Sequence, residues 1–325
     1  MVELDRATIP SLARAFMESR VLLTAVELDL FSLMGDGRLT SKQLAELGGW
    51  DQRGLEILLD ALVVTGLARK QRGAYSNTSV SRECLCNDSE ASLLPMVRHH
   101  AQLWDSWSQL SDRVRANGKA EPHDQLRAFI GAMDWVAAPL APGIVAAVGA
   151  PRGGRVLDLG GGSGAYTAAF LSRDRSVRMT LFDRPDVVVL AREFLAQQGC
   201  EKDVQFVGGD FLRDDLPPDQ DLVFLSAIVH SLSLEQCALL FSKAFEALVP
   251  GGRLVIRDHV MSDDRLQPRA GAIFSVNMLA ATEGGRTYTY TELRTRLEES
   301  GFIDVRLAQD GERMNALVEA TKPGT

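Results

Sequence analysis

A glycine-rich turn stands near the middle of this 325-residue chain, and its residue types could hold a ligand. The stretch is VLDLGGGSGAY, residues 156–166, in which an apolar run leads into Gly160, Gly161, Gly162 and Gly164. Glycines let the backbone turn sharply and approach a ligand without interference from a Cβ atom. Gly160, Gly162 and Ala165 also satisfy the dinucleotide pattern G-x-G-x-x-G/A, so the turn alone leaves the cofactor open.

Two carboxylates follow the turn at the ends of later predicted strands. Asp183 comes 23 residues after Gly160, where a carboxylate can accept hydrogen bonds from both ribose hydroxyls. Asp210 ends the third predicted strand and could accept from an adenine amino group, and the ring of Phe211 could stack on the base. The turn and its acidic followers therefore predict a nucleoside-bearing cofactor.

A histidine stands where a proton could be taken from an acceptor. His230 follows the predicted strand DLVFLSAIV, at the carboxyl end of a sheet, where ligands bind in doubly wound folds. A phenol, with a pKa near 10, needs a base to remove its proton at neutral pH, and histidine is suited to that task. Alternatively, His230 is a structural residue at the end of a strand, with its hydrogen bonds satisfied and no role in catalysis.

Alternating strands and helices are predicted to position these residues. From Arg155 onward, short apolar runs alternate with helical stretches, which indicates βαβ units over a parallel sheet. The strand candidates are RVLDLG, VRMTLFD, VQFVGGD, DLVFLS and RLVIRD. Between the last two, a helical stripe runs through Cys237, Leu240, Phe241, Ala244, Phe245 and Leu248. We expect a Rossmann-like α/β domain over residues 149–325.

The first half of the chain, residues 1–148, is predicted to be mainly helical. LTSKQLAELGGW is typical of a helix that begins at Thr40 or Ser41 and ends near Gly48 and Gly49. The helix DQRGLEILLDALVVTG and two short extended pieces around Gly73 follow, which together make a winged-helix pattern. Asp51, Glu56 and Asp60 against Arg53 make the second helix a poor surface for the major groove, so a dimer-forming module is favoured over DNA binding.

The overall composition narrows the class of protein. The chain is 46% hydrophobic and 24% charged, with 35 basic against 43 acidic residues and a net charge of −8, which argues against general binding to nucleic acid or an anionic membrane. Cys84 and Cys86 lack the usual two-residue zinc spacing, so we expect no metal. The start MVELDRATIP has no apolar signal core and no apolar run reaches the length of a membrane span, so we expect a cytoplasmic protein.

Taken together, the motifs resemble the class I S-adenosylmethionine methyltransferases. More narrowly, the chain resembles the small-molecule O-methyltransferase family that includes plant caffeate and bacterial polyketide enzymes. The resemblance rests on DLGGGSGAY, FDRPDVVVLA, VGGDF, LSAIVHSLSLEQC, LVPGGRLVIRD and NMLAATEGGRTYTYTEL. It implies S-adenosylmethionine as cofactor, S-adenosylhomocysteine as product, and a homodimer formed through the N-terminal domain. The cofactor-lining residues that it implies are Gly160, Gly162, Asp183, Arg184, Asp210, Phe211 and Ser226.

The resemblance also implies catalytic and acceptor-binding residues. In the family a His-Asp-Trp stretch supplies the base; here it is His230-Ser231-Leu232, and Asp258 falls where relatives orient the histidine with a carboxylate. Another family carboxylate is replaced here near Thr287. The acceptor, a small molecule with flat aromatic or polyketide-like rings, is expected to meet Phe129, Met133, Phe274, Met278 and Thr282 between the two domains.

Two other functions remain open at this stage. The altered His-Ser-Leu stretch is compatible with C- or N-methylation, or with an S-adenosylmethionine-dependent reaction that transfers no methyl group. A non-enzymatic winged-helix regulator with a vestigial cofactor fold is the third hypothesis. An oxidoreductase that uses NAD(P) is disfavoured, because several ordered motifs are more specific than one glycine turn.

Overall fold

The computed structural model describes residues 8–114 and 125–324. The sequence analysis predicts no signal peptide in the first ten residues, MVELDRATIP. Residues 1–7 of that segment lie outside the described ranges. The described residues form two compact units. The helical unit comprises residues 8–114 and 264–281, and the sheet unit comprises residues 125–263 and 282–324. This division by compactness differs from the sequence boundary at residue 148, which stays a prediction about domains.

The elements are numbered along the chain. The helices before residue 149 are α1 (Thr8–Arg14), α2 (Phe16–Glu27), α3 (Leu30–Met34), α4 (Ser41–Gly48), α5 (Gln52–Val64), α6 (Ser79–Cys84), α7 (Leu94–Ser108), α8 (Leu110–Val114), α9 (Gln125–Ala137) and α10 (Ala141–Val148). The later helices are α11 (Ala165–Arg173), α12 (Pro185–Gln197), α13 (Leu234–Ala247), α14 (Arg269–Ala281) and α15 (Tyr290–Glu299), with 3₁₀ turns at Glu201–Asp203 and Val229–Ser231.

The strands fall into two sheets and one short pair. The helical unit contains β1 (Leu39–Thr40), β2 (Ala68–Gln71) and β3 (Ala74–Asn77). The large sheet contains β4 (Arg155–Leu159), β5 (Arg178–Asp183), β6 (Val204–Gly208), β7 (Gln220–Ser226), β8 (Leu248–Asp258), β11 (Ile303–Gln309) and β12 (Ala316–Thr321). The pair consists of β9 (Val260–Met261) and β10 (Tyr288–Thr289).

The helical unit has the winged-helix arrangement that its sequence predicts. Helix α4 begins at the Thr40 cap, whose hydroxyl accepts from the Gln43 N–H while the Gln43 side chain accepts from the Thr40 N–H. It ends at Gly49, which adopts φ +68. Antiparallel β2 and β3 form the hairpin, and β1 adds a third strand beside β3. Leu44, Leu59 and Leu62 are fully buried in its core.

The sheet unit confirms the predicted α/β fold. All five strand candidates form strands, and the sheet order is β11-β12-β8-β7-β4-β5-β6. The five pair in parallel, whereas β12 runs antiparallel to both β8 and β11. Chain order reverses between β4 and β7, which makes their carboxyl ends the switch point where such folds bind ligands. The sequence patterns did not identify β11 and β12.

Helices cover both faces of this sheet. On one face the stripe of α13 is confirmed, with Cys237, Leu240 and Phe241 fully buried against Leu157 and Val223 of the strands. Leu248, which the stripe included, instead begins β8. On the other face a second apolar cluster joins the sheet to α10, α11 and α12. Side chains on successive strand residues therefore point to opposite, equally buried faces.

No single helix in the described ranges is long and apolar enough to cross a membrane. One bent pair, Gln125–Ala137 with Ala141–Val148 at 64°, meets the criteria of length and composition together.

Candidate active site

The glycine turn follows β4 at the switch point. Gly160 adopts φ +73 and its N–H donates to the carbonyl of Phe182 at 2.8 Å. A Cβ at Gly160 would collide with the side chain of Ile228, and one at Gly161 would collide with Leu181. Gly162, at φ +57, has open space around its missing Cβ. Gly160 and Gly161 therefore pack so tightly against β5 and the loop after β7 that only glycine fits.

Asp183 ends β5 beside this turn. Its Oδ2 accepts the Gly162 N–H at 2.9 Å, and its Oδ1 accepts the N–H of Arg184 at 2.7 Å. Burial raises the pKa of Asp183, while these two backbone donors oppose the rise. The carboxylate is thus fixed against the glycine turn and retains further lone pairs that can accept from hydroxyl groups.

The other predicted cofactor residues surround the same edge of the sheet. Asp210 lies exposed two residues after β6, and its Oδ1 accepts the N–H of Leu212. Phe211 is half-buried against the apolar cluster under α13. The Arg184 side chain pairs with Asp186, with Nη2 to Oδ2 at 2.6 Å. Ser226 ends β7, and its hydroxyl accepts from Arg257 Nη1 at 3.3 Å.

His230 and Asp258 form a buried pair at the end of β7 and β8. The ring Nδ1 of His230 lies 2.8 Å and 2.9 Å from the two carboxylate oxygens of Asp258. Asp258 is completely buried and also accepts the His259 N–H at 2.7 Å. Burial alone raises the pKa of Asp258, but His230 and the N–H of His259 outweigh that effect and hold the pKa below its ordinary value. An ionised Asp258 fixes the proton of His230 on Nδ1 and leaves the ring lone pair on Nε2.

A tight turn carries His230 out of β7. Ala227 adopts φ +57, an uncommon conformation for a residue with a Cβ, and its N–H donates to the carbonyl of Arg257 at 2.8 Å. The 3₁₀ turn Val229–Ser231 follows, and the Ser231 hydroxyl donates to the carbonyl of Ile228 at 2.7 Å. Ser231 therefore uses its hydroxyl within the turn, at the position where the family that the sequence resembles has an aspartate.

The loop before β10 braces this turn from the other side. A Cβ at Gly285 would overlap the carbonyl oxygen of His230, and one at Gly284 would press on the side chain of Ser233. The hydroxyl of Tyr288 donates to the carbonyl of Leu232 at 2.6 Å. Thr287 stands near the position where the resembling family has a carboxylate, and its side chain is buried. The Gly-Gly pair thus allows backbone to lie directly against the His230 turn.

The predicted acceptor residues are divided between the two units. Phe129 and Met133 lie on α9 of the sheet unit, and both side chains are substantially exposed. Phe274 and Met278 lie on α14 of the helical unit, where Met278 is buried. Thr282 belongs to the sheet unit and its hydroxyl accepts the Gly285 N–H at 2.9 Å. Their common role as an acceptor pocket remains a prediction.

The sequence analysis did not single out Asp158, Arg257 or Tyr166. Asp158 lies inside β4, accepts from the Thr167 hydroxyl at 2.7 Å, and burial raises its pKa to about 6. Arg257 is buried on β8, with its guanidinium carbon 5.6 Å from the centre of the Tyr166 ring. A charged residue inside an apolar strand, as in LVIRD, was the available signal, because such positions are rarely charged without a partner.

The site fits a nucleoside-bearing cofactor with a charged end. The glycine turn leaves open space beside Gly162, Asp183 can accept from hydroxyl groups, and the buried Arg257 has donor nitrogens without a partner among the described residues. Within residues 8–114 and 125–324, no group of three or more His, Cys, Asp or Glu side chains could hold a metal ion. Beside this cofactor edge, the Nε2 atom of His230 offers a lone pair that could accept a proton while Nδ1 contacts Asp258.

Known proteins are similar to this chain in sequence and in fold. Residues 143–303 match the O-methyltransferase domain, and residues 11–87 match the O-methyltransferase dimerisation domain. The chain is 31% identical to the tetracenomycin polyketide synthesis 8-O-methyl transferase of Streptomyces glaucescens, over 92% of this chain and 91% of that protein.

Two solved structures extend the similarity to the whole fold. An O-methyltransferase family 2 protein from Planctomyces limnophilus, in complex with apigenin, has a TM-score of 0.81 at 26% identity and covers 98% of this chain and 96% of its own. Human N-acetylserotonin methyltransferase in complex with S-adenosylmethionine has a TM-score of 0.56 at 26% identity and covers both chains fully.

Proposed function

The chain belongs to the O-methyltransferase family and is an S-adenosylmethionine-dependent methyltransferase of small molecules, and from this premise we propose that it methylates a hydroxyl group with His230 as general base. The observation that carries the proposal is the contact of Nδ1 of His230 with buried Asp258 at 2.8 Å. This pairing directs the basic lone pair of the ring to Nε2, on the side away from the carboxylate.

His230 and Asp258 divide the proton chemistry between them. Nε2 of His230 takes the proton from the acceptor hydroxyl as the oxygen becomes a nucleophile. The buried carboxylate of Asp258 holds the ring in one tautomer and stabilises the imidazolium that results. Because Asp258 is held ionised by its hydrogen bonds, it supplies this charge across neutral pH.

The sheet edge supplies the cofactor site. Bound S-adenosylmethionine contributes a methyl group on a sulfonium, which needs no further activation by the protein. Gly160 and Gly162 would lie against it, Asp183 would accept from the ribose hydroxyls, and Asp210, Phe211 and Arg184 would meet the adenine. Holding acceptor and cofactor together converts the reaction into an effectively intramolecular one, which lowers the barrier by several kcal/mol.

The proposed acceptor is a hydroxylated aromatic or polyketide-like molecule. Two relatives support this class: one is named for tetracenomycin polyketide 8-O-methylation and the other holds apigenin. Phe129, Met133, Phe274, Met278 and Thr282 are proposed to contact the acceptor, since aromatic and methionine side chains suit flat rings. We also propose a homodimer, and the cytoplasmic location remains a prediction.

Thermal unfolding with S-adenosylmethionine, S-adenosylhomocysteine, NADH and NADPH in parallel tests the cofactor. A ligand at 100 times its Kd adds about 2.7 kcal/mol of stability, which raises Tm by a few degrees. We expect a shift with the two adenosyl-sulfur ligands only. A shift with a nicotinamide ligand alone would contradict the proposal.

Product analysis with a panel of phenolic acceptors tests the reaction. We expect an O-methylated product and S-adenosylhomocysteine in equal amounts. Methyl groups found on carbon or nitrogen would assign the chain to another methyl-transfer chemistry on the same scaffold. Conversion of the acceptor without S-adenosylhomocysteine would instead indicate a reaction that transfers no methyl group.

A further inference from the structure

A buried arginine on the central sheet has no anionic partner in the described part of the chain. Arg257 is 3% exposed and lies in β8, immediately before Asp258. Its Nη1 donates to the hydroxyl of Ser226, but Nε and Nη2 have no hydrogen-bond partner among the described residues. Over the same residues, Arg257 forms no ion pair with a carboxylate.

This arrangement is unfavourable for the described residues by themselves. A guanidinium stays charged in proteins, and a buried charge is costly unless a counter-charge and hydrogen bonds compensate it. The Tyr166 ring, 5.6 Å from the guanidinium carbon, provides a cation–π contact but no acceptor for the two N–H groups. Among residues 8–114 and 125–324 nothing supplies that anion, so the missing partner is a group from outside the described residues, such as a bound ligand.

The position of Arg257 indicates which anion this is. Side chains alternate along a strand, so Arg257 points to the sheet face opposite to that of Asp258, the partner of His230. On the face of Arg257 lie Ser226, its register partner in β7, and Tyr166 in the first turn of the helix that follows the glycine turn. The anion thus belongs with the ligand of the glycine turn, not with an acceptor beside His230.

We propose that Arg257 binds the carboxylate of the methionine portion of S-adenosylmethionine, an inference that rests on the proposed function. Nε and Nη2 form one edge of the guanidinium, and two parallel N–H groups of this kind match the two oxygens of a carboxylate. The Ser226 hydroxyl, which accepts from Nη1, orients the guanidinium so that this edge is available. Arg257 therefore anchors the amino-acid end of the cofactor, while Asp183 holds the ribose.

Calorimetric titration of ligands with and without the carboxylate tests this assignment. S-adenosylhomocysteine carries the carboxylate; its decarboxylated analogue and 5′-methylthioadenosine do not. Arg257→Met removes the charge and retains an unbranched side chain for the buried space. We expect Arg257→Met to weaken S-adenosylhomocysteine binding roughly 10- to 100-fold, as for loss of hydrogen bonds to a charged group, and to change the affinity for 5′-methylthioadenosine less than about two-fold. The affinity of Arg257→Lys for S-adenosylhomocysteine should fall between those of wild type and Arg257→Met, because lysine keeps the charge and loses the fork.

The decarboxylated analogue provides a measurement on the unmodified protein. We expect it to bind wild type more weakly than S-adenosylhomocysteine, and the two to bind Arg257→Met equally, which closes a double-mutant cycle on the guanidinium–carboxylate pair. Equal loss of all three ligands in Arg257→Met would show a structural role and overturn the inference. Unchanged affinity of Arg257→Met for S-adenosylhomocysteine would overturn the inference as well. If the KM of that variant for an anionic acceptor were also raised, Arg257 would be assigned to acceptor binding. Wild type that binds none of the three would refute the proposed function itself.

Discussion

His230 and Asp258, the proposed base and its partner, meet in one buried contact. The carboxylate is fully buried, and its ionised form is maintained by His230 and by the His259 N–H. His259 itself is buried, and burial lowers its pKa to about 4, so it is neutral near pH 7. The negative charge of Asp258 is therefore directed at His230, which suits a base that must become positively charged during the reaction.

Replacement of His230 by alanine tests its role as a base. We expect turnover to fall by about 10²- to 10⁴-fold, the usual contribution of general base catalysis, with little change in the Kd for S-adenosylhomocysteine. His99→Ala, at an exposed histidine of α7, serves as the control and should retain full activity. If His230→Ala weakened cofactor binding as much as turnover, His230 would have a structural role instead.

Asp158 predicts a pH dependence of stability. Burial raises its pKa from 3.8 to about 6, so the folded protein favours the protonated acid. The free energy of unfolding therefore contains a contribution from Asp158 that is complete below pH 3.8 and is lost as the pH rises through 6. Asp158→Asn imitates the protonated form. Denaturant unfolding should therefore show the variant gaining about 2–3 kcal/mol relative to wild type between pH 4 and pH 8.

The control for this titration is Asp215→Asn, at an exposed carboxylate. Its stability relative to wild type should stay nearly constant over the same pH range. A parallel pH profile for Asp158→Asn and wild type would mean that Asp158 is ionised in the folded protein at little cost.

At the scale of elements, the His230 turn is held between two segments that are distant in sequence. Ala227, in its left-handed conformation, is tied to β8 by its N–H, and the loop with Gly284 and Gly285 packs on the opposite side. The hydroxyl of Tyr288 closes the arrangement on Leu232. The position of His230, the proposed base, is thus set by backbone contacts, and one added methyl group is enough to disturb them.

Gly285→Ala tests this bracing. The added Cβ would overlap the carbonyl oxygen of His230, so the turn must shift. Because a shift of about 1 Å in a catalytic group can cost roughly 10²-fold in rate, we expect turnover to fall at least about 10-fold, with the Kd for S-adenosylhomocysteine nearly unchanged. Gly143→Ala on α10, where a Cβ meets open space, is the matched control. Normal turnover in Gly285→Ala would show that the turn tolerates displacement.

At the scale of the whole molecule, the helical unit exposes apolar side chains that suit a second copy of the chain. Helix α1 has no buried residue, and Ile9, Leu12 and Phe16 are each at least half exposed. Met96 and Trp107 of α7 are exposed as well. Large exposed apolar areas mark interaction surfaces. Helix α1 overlaps the start of the matched dimerisation domain, residues 11–87, and α7 follows its end, so we expect these two helices to form the dimer interface.

Light scattering tests the oligomeric state. We expect wild type to have twice the 35.5-kDa mass of the chain at micromolar concentration. Leu12→Glu should yield monomers or raise the dimer Kd at least about 10-fold, because it places a charge in an apolar interface. Val189→Glu, at an equally exposed apolar residue of α12, should leave the dimer intact. A wild-type mass of one chain at every concentration would contradict the dimer.

Local sequence patterns were sufficient to predict much of this protein. Period and capping signals predicted the five parallel strands, the helix that begins after Thr40 and the stripe of α13, because each depends on residues close together in the chain. The ordered motifs also identified the family and its cofactor. The roles of the individual site residues remain predictions, because each role is defined by a contact with cofactor or acceptor.

Only the tertiary structure determines which residues lie close together in the candidate active site. Strand β12 depends on antiparallel pairing with β8, and the contact of His230 with Asp258 joins the ends of two strands. Arg257 stands out in the sequence only as a charge inside an apolar strand, and its significance comes from burial beside Ser226 with no carboxylate partner among the described residues. Such properties arise from residues far apart in the chain, whose distances and shared faces are set by strand order and register, so local sequence patterns do not contain them.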